Sequence, residues 1–158
     1  MPLFNLAWKQ RFFWDGRAAS LREQVLMPIE DHQEMDESLE RVANKLKADK
    51  HYRQAFGAAF GSGEITSQNI SLALENFLLS RLSLDSKYDQ FIKGRVKLSA
   101  IEQRGFELFF TESEPRLGKR GADCFHCHGG TLFSDHDFHN NGLASLKDFG
   151  LEETTALL

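Results

Sequence analysis

Apolar residues recur along this chain at intervals of three and four, and hardly anywhere at the interval of two that marks a strand. The segment "SLREQVLM" opens with Ser20 as a helix N-cap and is expected to stop at Pro28. In "DESLERVANKLKAD", Leu39, Val42, Ala43 and Leu46 share one helical face, with Asp36 and Glu37 at the electrostatically favoured end. "DKHYRQAFGAAFG" sets Tyr52, Ala55, Phe56 and Ala59 on one side, before Gly57, Gly61 and Gly63 weaken and end the helix. The strongest pattern is "TSQNISLALENFLLSRLS", with Thr66 as cap and Ile70, Ala73, Leu74, Phe77 and Leu78 along one face. "SKYDQFIKG" predicts a short helix ended by Gly94. In "LSAIEQRGFELFFTE", Ser99 caps, Glu102 is its reciprocal partner three residues on, and Ile101, Phe106, Leu108 and Phe109 form the apolar side. The class is all-α. A boundary falls near residues 94 to 98, and from about residue 111 periodicity gives way to glycine-rich polar sequence.

Composition narrows the function. With 158 residues, 41% hydrophobic and 27% charged, the chain has room for one ordinary domain or parts of two. A formal charge of -4 leaves no basic footprint for nucleic acid. No apolar run approaches the roughly 20 residues that span a bilayer. The start, "MPLFNLAWKQRFFWDGR", lacks the basic, apolar and small-residue order of a secretory signal. Fourteen phenylalanines against two tyrosines are compatible with a large apolar cofactor.

The chemistry concentrates in "GADCFHCHGGTLFSD", which holds both cysteines of the chain. A structural zinc site would take Cys124 and Cys127 with two of the histidines, His126, His136 or His139 among them. Adjacent Cys127 and His128 are poorly placed on one tetrahedral ion, and no second C-x-x-C follows. A redox disulfide would leave His128 without a role and lacks its usual βαβ setting. Two buried structural thiols would sit oddly in so polar a stretch. The spacing C-x-x-C-H is the attachment signature of c-type haem: two thiols for the porphyrin vinyls and a histidine for the iron. His139 is an alternative axial ligand.

Three stretches, "FWDGRAASLREQVLMPIEDHQEM", "ALENFLLSRLSLDSKYDQF" and "LSAIEQRGFELFF…CFHCHGGTLFSDHDFHNNGL", together resemble the bacterial di-haem cytochrome c peroxidase family, which includes the methylamine-utilisation (MauG-type) enzymes. The resemblance runs through nearly the whole chain. It implies two cytochrome c-like all-α domains, with residues 1–95 the end of a first, peroxidatic haem domain and 96–158 the start of a second, electron-transfer haem domain. Cys124 and Cys127 then resemble the covalent attachment points of the second haem, and His128 its axial ligand. Trp14 resembles the tryptophan that relays electrons between the haems. Gln24 and Glu34 resemble the glutamine and glutamate over the peroxide pocket of the first haem.

The implied reaction is reduction of hydrogen peroxide to water with electrons from a small donor protein, a cytochrome c or a cupredoxin. Glu34 would move a proton between the peroxide oxygens, and Gln24 would orient peroxide by a hydrogen bond. The family also implies periplasmic location, frequent homodimers, and calcium in the full-length protein. Two departures stand out: no C-x-x-C-H precedes Trp14, and no residue after His128 matches the family's far-side axial ligand, a methionine in most peroxidases and a tyrosine in the MauG type. The chain is therefore expected to be the middle of a larger enzyme, binding one haem by itself. The alternatives are a non-enzymatic electron-transfer cytochrome c, and a MauG-type enzyme that oxidises protein side chains.

Overall fold

A computed structural model of the chain describes residues 2–139. In those residues α1 (Leu21–Gln24), α2 (Met27–Glu30), α3 (Leu39–Ala48), α4 (Lys50–Phe60), α5 (Ser67–Leu79), α6 (Lys87–Ile92) and α7 (Ala100–Phe109) follow one another. Two-residue strands β1 (Ser113–Glu114) and β2 (Lys119–Arg120) then pair antiparallel, Ser113 opposite Arg120. The expected all-α class is what the chain adopts. Residues 140–158, the last part of the 96–158 stretch, lie outside the described residues.

Local chemistry explains where the helices start. The first amides of a helix lack internal acceptors, so a short polar side chain just ahead supplies one. Ser20, Ser38, Asp49 and Thr66 do this for α1, α3, α4 and α5, accepting from the amides of Glu23, Arg41, His51 and Asn69. Ser86 and Ser99 go further and form reciprocal capping boxes with Asp89 and Glu102. Pro28 behaves differently from expectation. It stands in the first turn of α2, where its missing N–H costs nothing, so it opens a second short helix after α1 has ended.

Two clusters make the core. Leu6, Phe12, Ala18, Leu21, Val25 and Leu78 form one, and Ala43, Phe56, Ile65 and Ile70 the other. Helix α5 serves both, with Ile70 near its start and Leu78 near its end. An ion pair of 2.6 Å between Arg22 and Glu75 fastens α1 to α5. Asn5 ties the amino-terminal turn to the chain after α5, donating to Ser83 O at 3.1 Å and accepting from its N–H at 2.8 Å. The predicted faces of α4, α5 and α7 are only partly buried: Tyr52, Phe77 and Ile101 stay exposed. Helical spacing marks an apolar stripe, whereas burial needs a second element against it. Among the described residues, every fully buried hydrophobic lies between Leu6 and Leu78.

The second half is held by rings. Tyr88 and Phe91 of α6 meet Phe106 of α7 at centroid distances of 6.4 and 5.4 Å, and Tyr88 meets Phe133 at 4.9 Å. Lys87 adds an ion pair to Glu102 at 2.6 Å. That lysine, followed by the Ser99 amide and hydroxyl, holds the Glu102 carboxyl down from 4.5 to about 2. The folded-state value is depressed, so this contribution is fully present above pH 4.5 and disappears as pH falls toward 2. Urea titrations at descending pH will show that window in the native chain, and Glu102→Gln will flatten it. An unchanged pH profile in the variant would remove Glu102 from the account.

Candidate functional site

The C-x-x-C-H turn is set by the end of α7. The Ala122 amide donates to Leu108 O at 2.7 Å, Gly121 to Glu112 O at 3.1 Å, and Asp123 to Thr111 O at 3.1 Å. This zipper brings Gly121 so close to Thr111 that a Cβ there would lie 1.7 Å from the carbonyl oxygen. Asp123 then takes a left-handed conformation, φ 59°, and the chain enters a 3₁₀ turn over Cys124–His126. The His128 amide closes the turn on Cys124 O at 2.9 Å. Beyond it the chain folds back, with the Asp135 amide on Cys127 O and the Ser134 amide on Gly129 O, each at 3.1 Å.

Both thiols are free, Cys124 half-buried and Cys127 exposed. The ring of His128 is oriented by Phe133, whose carbonyl oxygen lies 3.2 Å from Nδ1. A carbonyl can only accept, so Nδ1 carries the proton and Nε2 keeps its lone pair for a metal. Two of the neighbouring histidines have their side chains engaged elsewhere. His126 Nε2 lies 3.1 Å from Asp123, and His139 Nε2 lies 2.8 Å from Asp135. Asp135 is held below the usual carboxylate range, first by the Asp137 amide and then by His139. Cys127, Asp135 and His139 can bring one ligand atom each within 4.8 Å of one another. That trio leaves out Cys124 and His128, and offers three donors where a closed zinc site takes four.

Beside the turn runs an open apolar cleft of about 310 Å³ whose walls include Tyr88, Phe106, Phe109, Phe110 and Phe133. Phe110 continues the aromatic surface to Phe125 inside the motif, at 6.3 Å. The set of groups therefore suits an iron porphyrin: two thiols on one turn, an imidazole with the correct nitrogen unprotonated, and an aromatic surface in need of cover.

The remaining sequence-derived residues sit in the first half. Trp14 stands at the head of a tight loop closed by Phe12 N–H on Ala18 O at 3.0 Å, and is 62% exposed. Gln24 ends α1 and is buried, and its side-chain carbonyl oxygen has no partner among the described residues. Glu34 lies in the exposed turn after α2, its amide on Asp31 O at 3.0 Å. The Met35 and Glu37 amides donate to Pro28 and Ile29, folding that turn back along α2. Among the described residues no hydrogen bond joins Gln24 to Glu34. Three contributors were not read from the sequence: the Phe133 carbonyl, the close approach at Gly121, and a contact of Phe138 with Gly16. A glycine just ahead of the motif was visible, but the strand-like zipper that requires it was not.

Comparison with known proteins gives a consistent picture. The sequence profile of the di-haem cytochrome c peroxidase family matches residues 1–97. The chain is 38% identical over 151 residues to the methylamine utilization protein MauG of Methylorubrum extorquens, covering 94% of this chain and 40% of that protein. It is 32% identical over 133 residues to the cytochrome c551 peroxidase of Nitrosomonas europaea, covering 83% of this chain and 36% of the relative. Among solved structures, a MauG-like protein associated with microbial copper homeostasis superposes with a TM-score of 0.72 at 30% identity, over 87% of this chain and 39% of its own. The fold is thus cytochrome c-like as well as all-α. The chain spans about two fifths of the length of the curated relatives it matches.

Proposed function

We propose that this chain, which belongs to the di-haem cytochrome c peroxidase family, is the segment of a periplasmic peroxidase that joins its peroxide pocket to its electron-entry haem. Membership implies haem c as cofactor. The observation that carries the reading is the His128 turn, where two free thiols precede an imidazole whose Nε2 is left for iron by the Phe133 carbonyl. Cys124 and Cys127 would hold the porphyrin covalently, and His128 would bind its iron. Bound there, the group supplies one-electron redox chemistry. The family profile ends at residue 97, which supports a division into residues 1–95 and 96–158.

Gln24 and Glu34 are assigned to the peroxide pocket of the first haem domain. A buried carbonyl oxygen without a donor costs roughly 1–3 kcal/mol, so the fold tolerates Gln24 Oε1 for a reason other than stability. A peroxide O–H satisfies it and is oriented by it. Glu34, on an exposed turn, has a carboxylate free of ion pairs among the described residues, suited to taking a proton from one peroxide oxygen and returning it to the other. Trp14 carries electrons between the two haems. The donor is a small cytochrome or cupredoxin; the full-length protein is a homodimer with calcium.

The test is a single variant of the full-length, haem-loaded enzyme with two readouts. Gln24→Met keeps the volume and removes the orphaned oxygen. It will raise stability by about 1 kcal/mol and lower peroxide turnover by about tenfold, the rate equivalent of losing one orienting hydrogen bond worth about 1.4 kcal/mol. Native turnover in Gln24→Met would overturn the pocket assignment, and a non-enzymatic cytochrome would then fit better. The 38% identity to the methylamine utilization protein supports a MauG-type reading beside the peroxidase, though no better than it. A tyrosine as far-side ligand of the second haem, with oxidation of a partner protein's side chains, would establish it; a methionine supports the peroxidase.

A further inference from the structure

Phe138 of the haem-binding half touches the loop that carries Trp14. That loop is closed from within. Phe12 N–H bonds to Ala18 O at 3.0 Å, and both residues are buried. The Arg17 guanidinium grips both oxygens of Asp15 at 3.0 Å and lies 3.7 Å from the centre of the Phe13 ring. Phe13 and Gly16 both take positive φ, 64° and 72°, which turns the chain sharply around a largely exposed Trp14. The bare Cα of Gly16 is covered by the edge of Phe138: a Cβ placed there would lie 2.6 Å from Cζ and 3.0 Å from Cε2.

Phe138 belongs to the return segment of the haem turn. Its neighbours are fixed to that turn: Asp135 N–H on Cys127 O, the Asp137 amide on Asp135 at 3.0 Å, and His139 on the same carboxylate at 2.8 Å. The ring is therefore a strut with one end braced to the Cys127–His128 turn and the other seated on the tryptophan loop. We infer that Phe138 is a positioning residue, which holds Trp14 at its working distance from the haem on His128 and thereby sets the rate at which electrons pass between the two halves. Electron transfer falls steeply with separation, so a strut that fixes distance controls rate without touching the reacting atoms. The inference rests on the relay role proposed for Trp14.

Full-length protein carrying both haems decides it, through the inter-haem electron-transfer rate after rapid photochemical reduction. Phe138→Ala will slow transfer several-fold, as the tryptophan loop drifts from its seat, with both haem spectra and reduction potentials unchanged. Phe138→Leu will restore most of the rate. Gly16→Ala, which leaves the haem half intact and drives the ring away, will slow it as well and decides the matter if Phe138→Ala loads haem poorly. Combined with Trp14→Phe, Phe138→Ala will add no further loss, since both act on one path. Native rates in loaded Phe138→Ala or Gly16→Ala, beside a slow Trp14→Phe, would overturn the strut and leave the relay standing. A native rate in Trp14→Phe would overturn both.

Discussion

With Cys124 and Cys127 both changed to serine, the chain will emerge from c-type maturation without covalent haem, and with either one changed it will carry haem through a single bond. Denaturing mass spectrometry reads the adduct directly, and a pyridine haemochrome spectrum distinguishes one thioether from two. The expectation follows from the turn itself. Neither cysteine is in a disulfide, Cys124 opens the 3₁₀ turn and Cys127 caps it, and the sequence holds no other cysteine to substitute. His128→Ala is the companion variant: it keeps the thiols, removes Nε2, and will lose the normal axial field in the visible spectrum while the adduct mass stays. His139 will not replace it, because its Nε2 is bound to Asp135 at 2.8 Å. An unaltered spectrum in His128→Ala would refute the ligand assignment.

The same experiment has a thermodynamic arm. No residue of α7 is fully buried, and its rings make an aromatic surface that is half covered. A large apolar body bonded at the adjoining turn stays on the chain when it unfolds, so it stabilises by leaving water for the aromatic surface when the chain folds. Thermal melts of wild-type and double-serine chains will therefore separate, with the wild type melting later, and the gap will be carried by protection of amides in residues 99–128. Equal melting curves would leave the aromatic surface without the proposed cover.

Much of this is legible in the sequence. Ser99 and Glu102 announce the start of α7, and the reciprocal bonds form as the spacing requires. The cysteine spacing points to the haem attachment proposed for it. What sequence could not supply was partnership. Ile101 belongs to the apolar stripe of α7 yet is 82% exposed, because the helix packs through the rings at Phe106, Phe109 and Phe110 instead. Pro28 reads as a stop, and local sterics allow it equally to be a start; the choice depends on the turn between α1 and α2. Gln24 looks like any polar residue on a short helix, and only burial reveals its unpaired oxygen. Phe133 acts through its backbone, to which side-chain patterns are blind.

Gly121→Ala will be the most destructive single substitution outside the haem ligands, and the reason is backbone against backbone. Its Cβ would sit 1.7 Å from Thr111 O and 2.2 Å from the same carbonyl carbon, neither of which can rotate away. Relief requires parting the Gly121–Glu112, Ala122–Leu108 and Asp123–Thr111 bonds that aim Cys124. Losing such a zipper together with overpacking costs on the order of 3 kcal/mol. Gly118→Ala is the control. Gly118 also has positive φ, 72°, but nothing lies within 4 Å of its added Cβ, so only backbone strain of about 1 kcal/mol applies. Urea denaturation will rank the two accordingly, and hydrogen exchange will show the loss at the amides of Ala122 and Asp123. Haem incorporation will follow the same order, because a turn that no longer leaves α7 at the right angle presents its thiols and imidazole separately rather than to one porphyrin. Similar costs for the two alanines would mean that the approach to Thr111 is not what builds the turn, and the haem site would need another support.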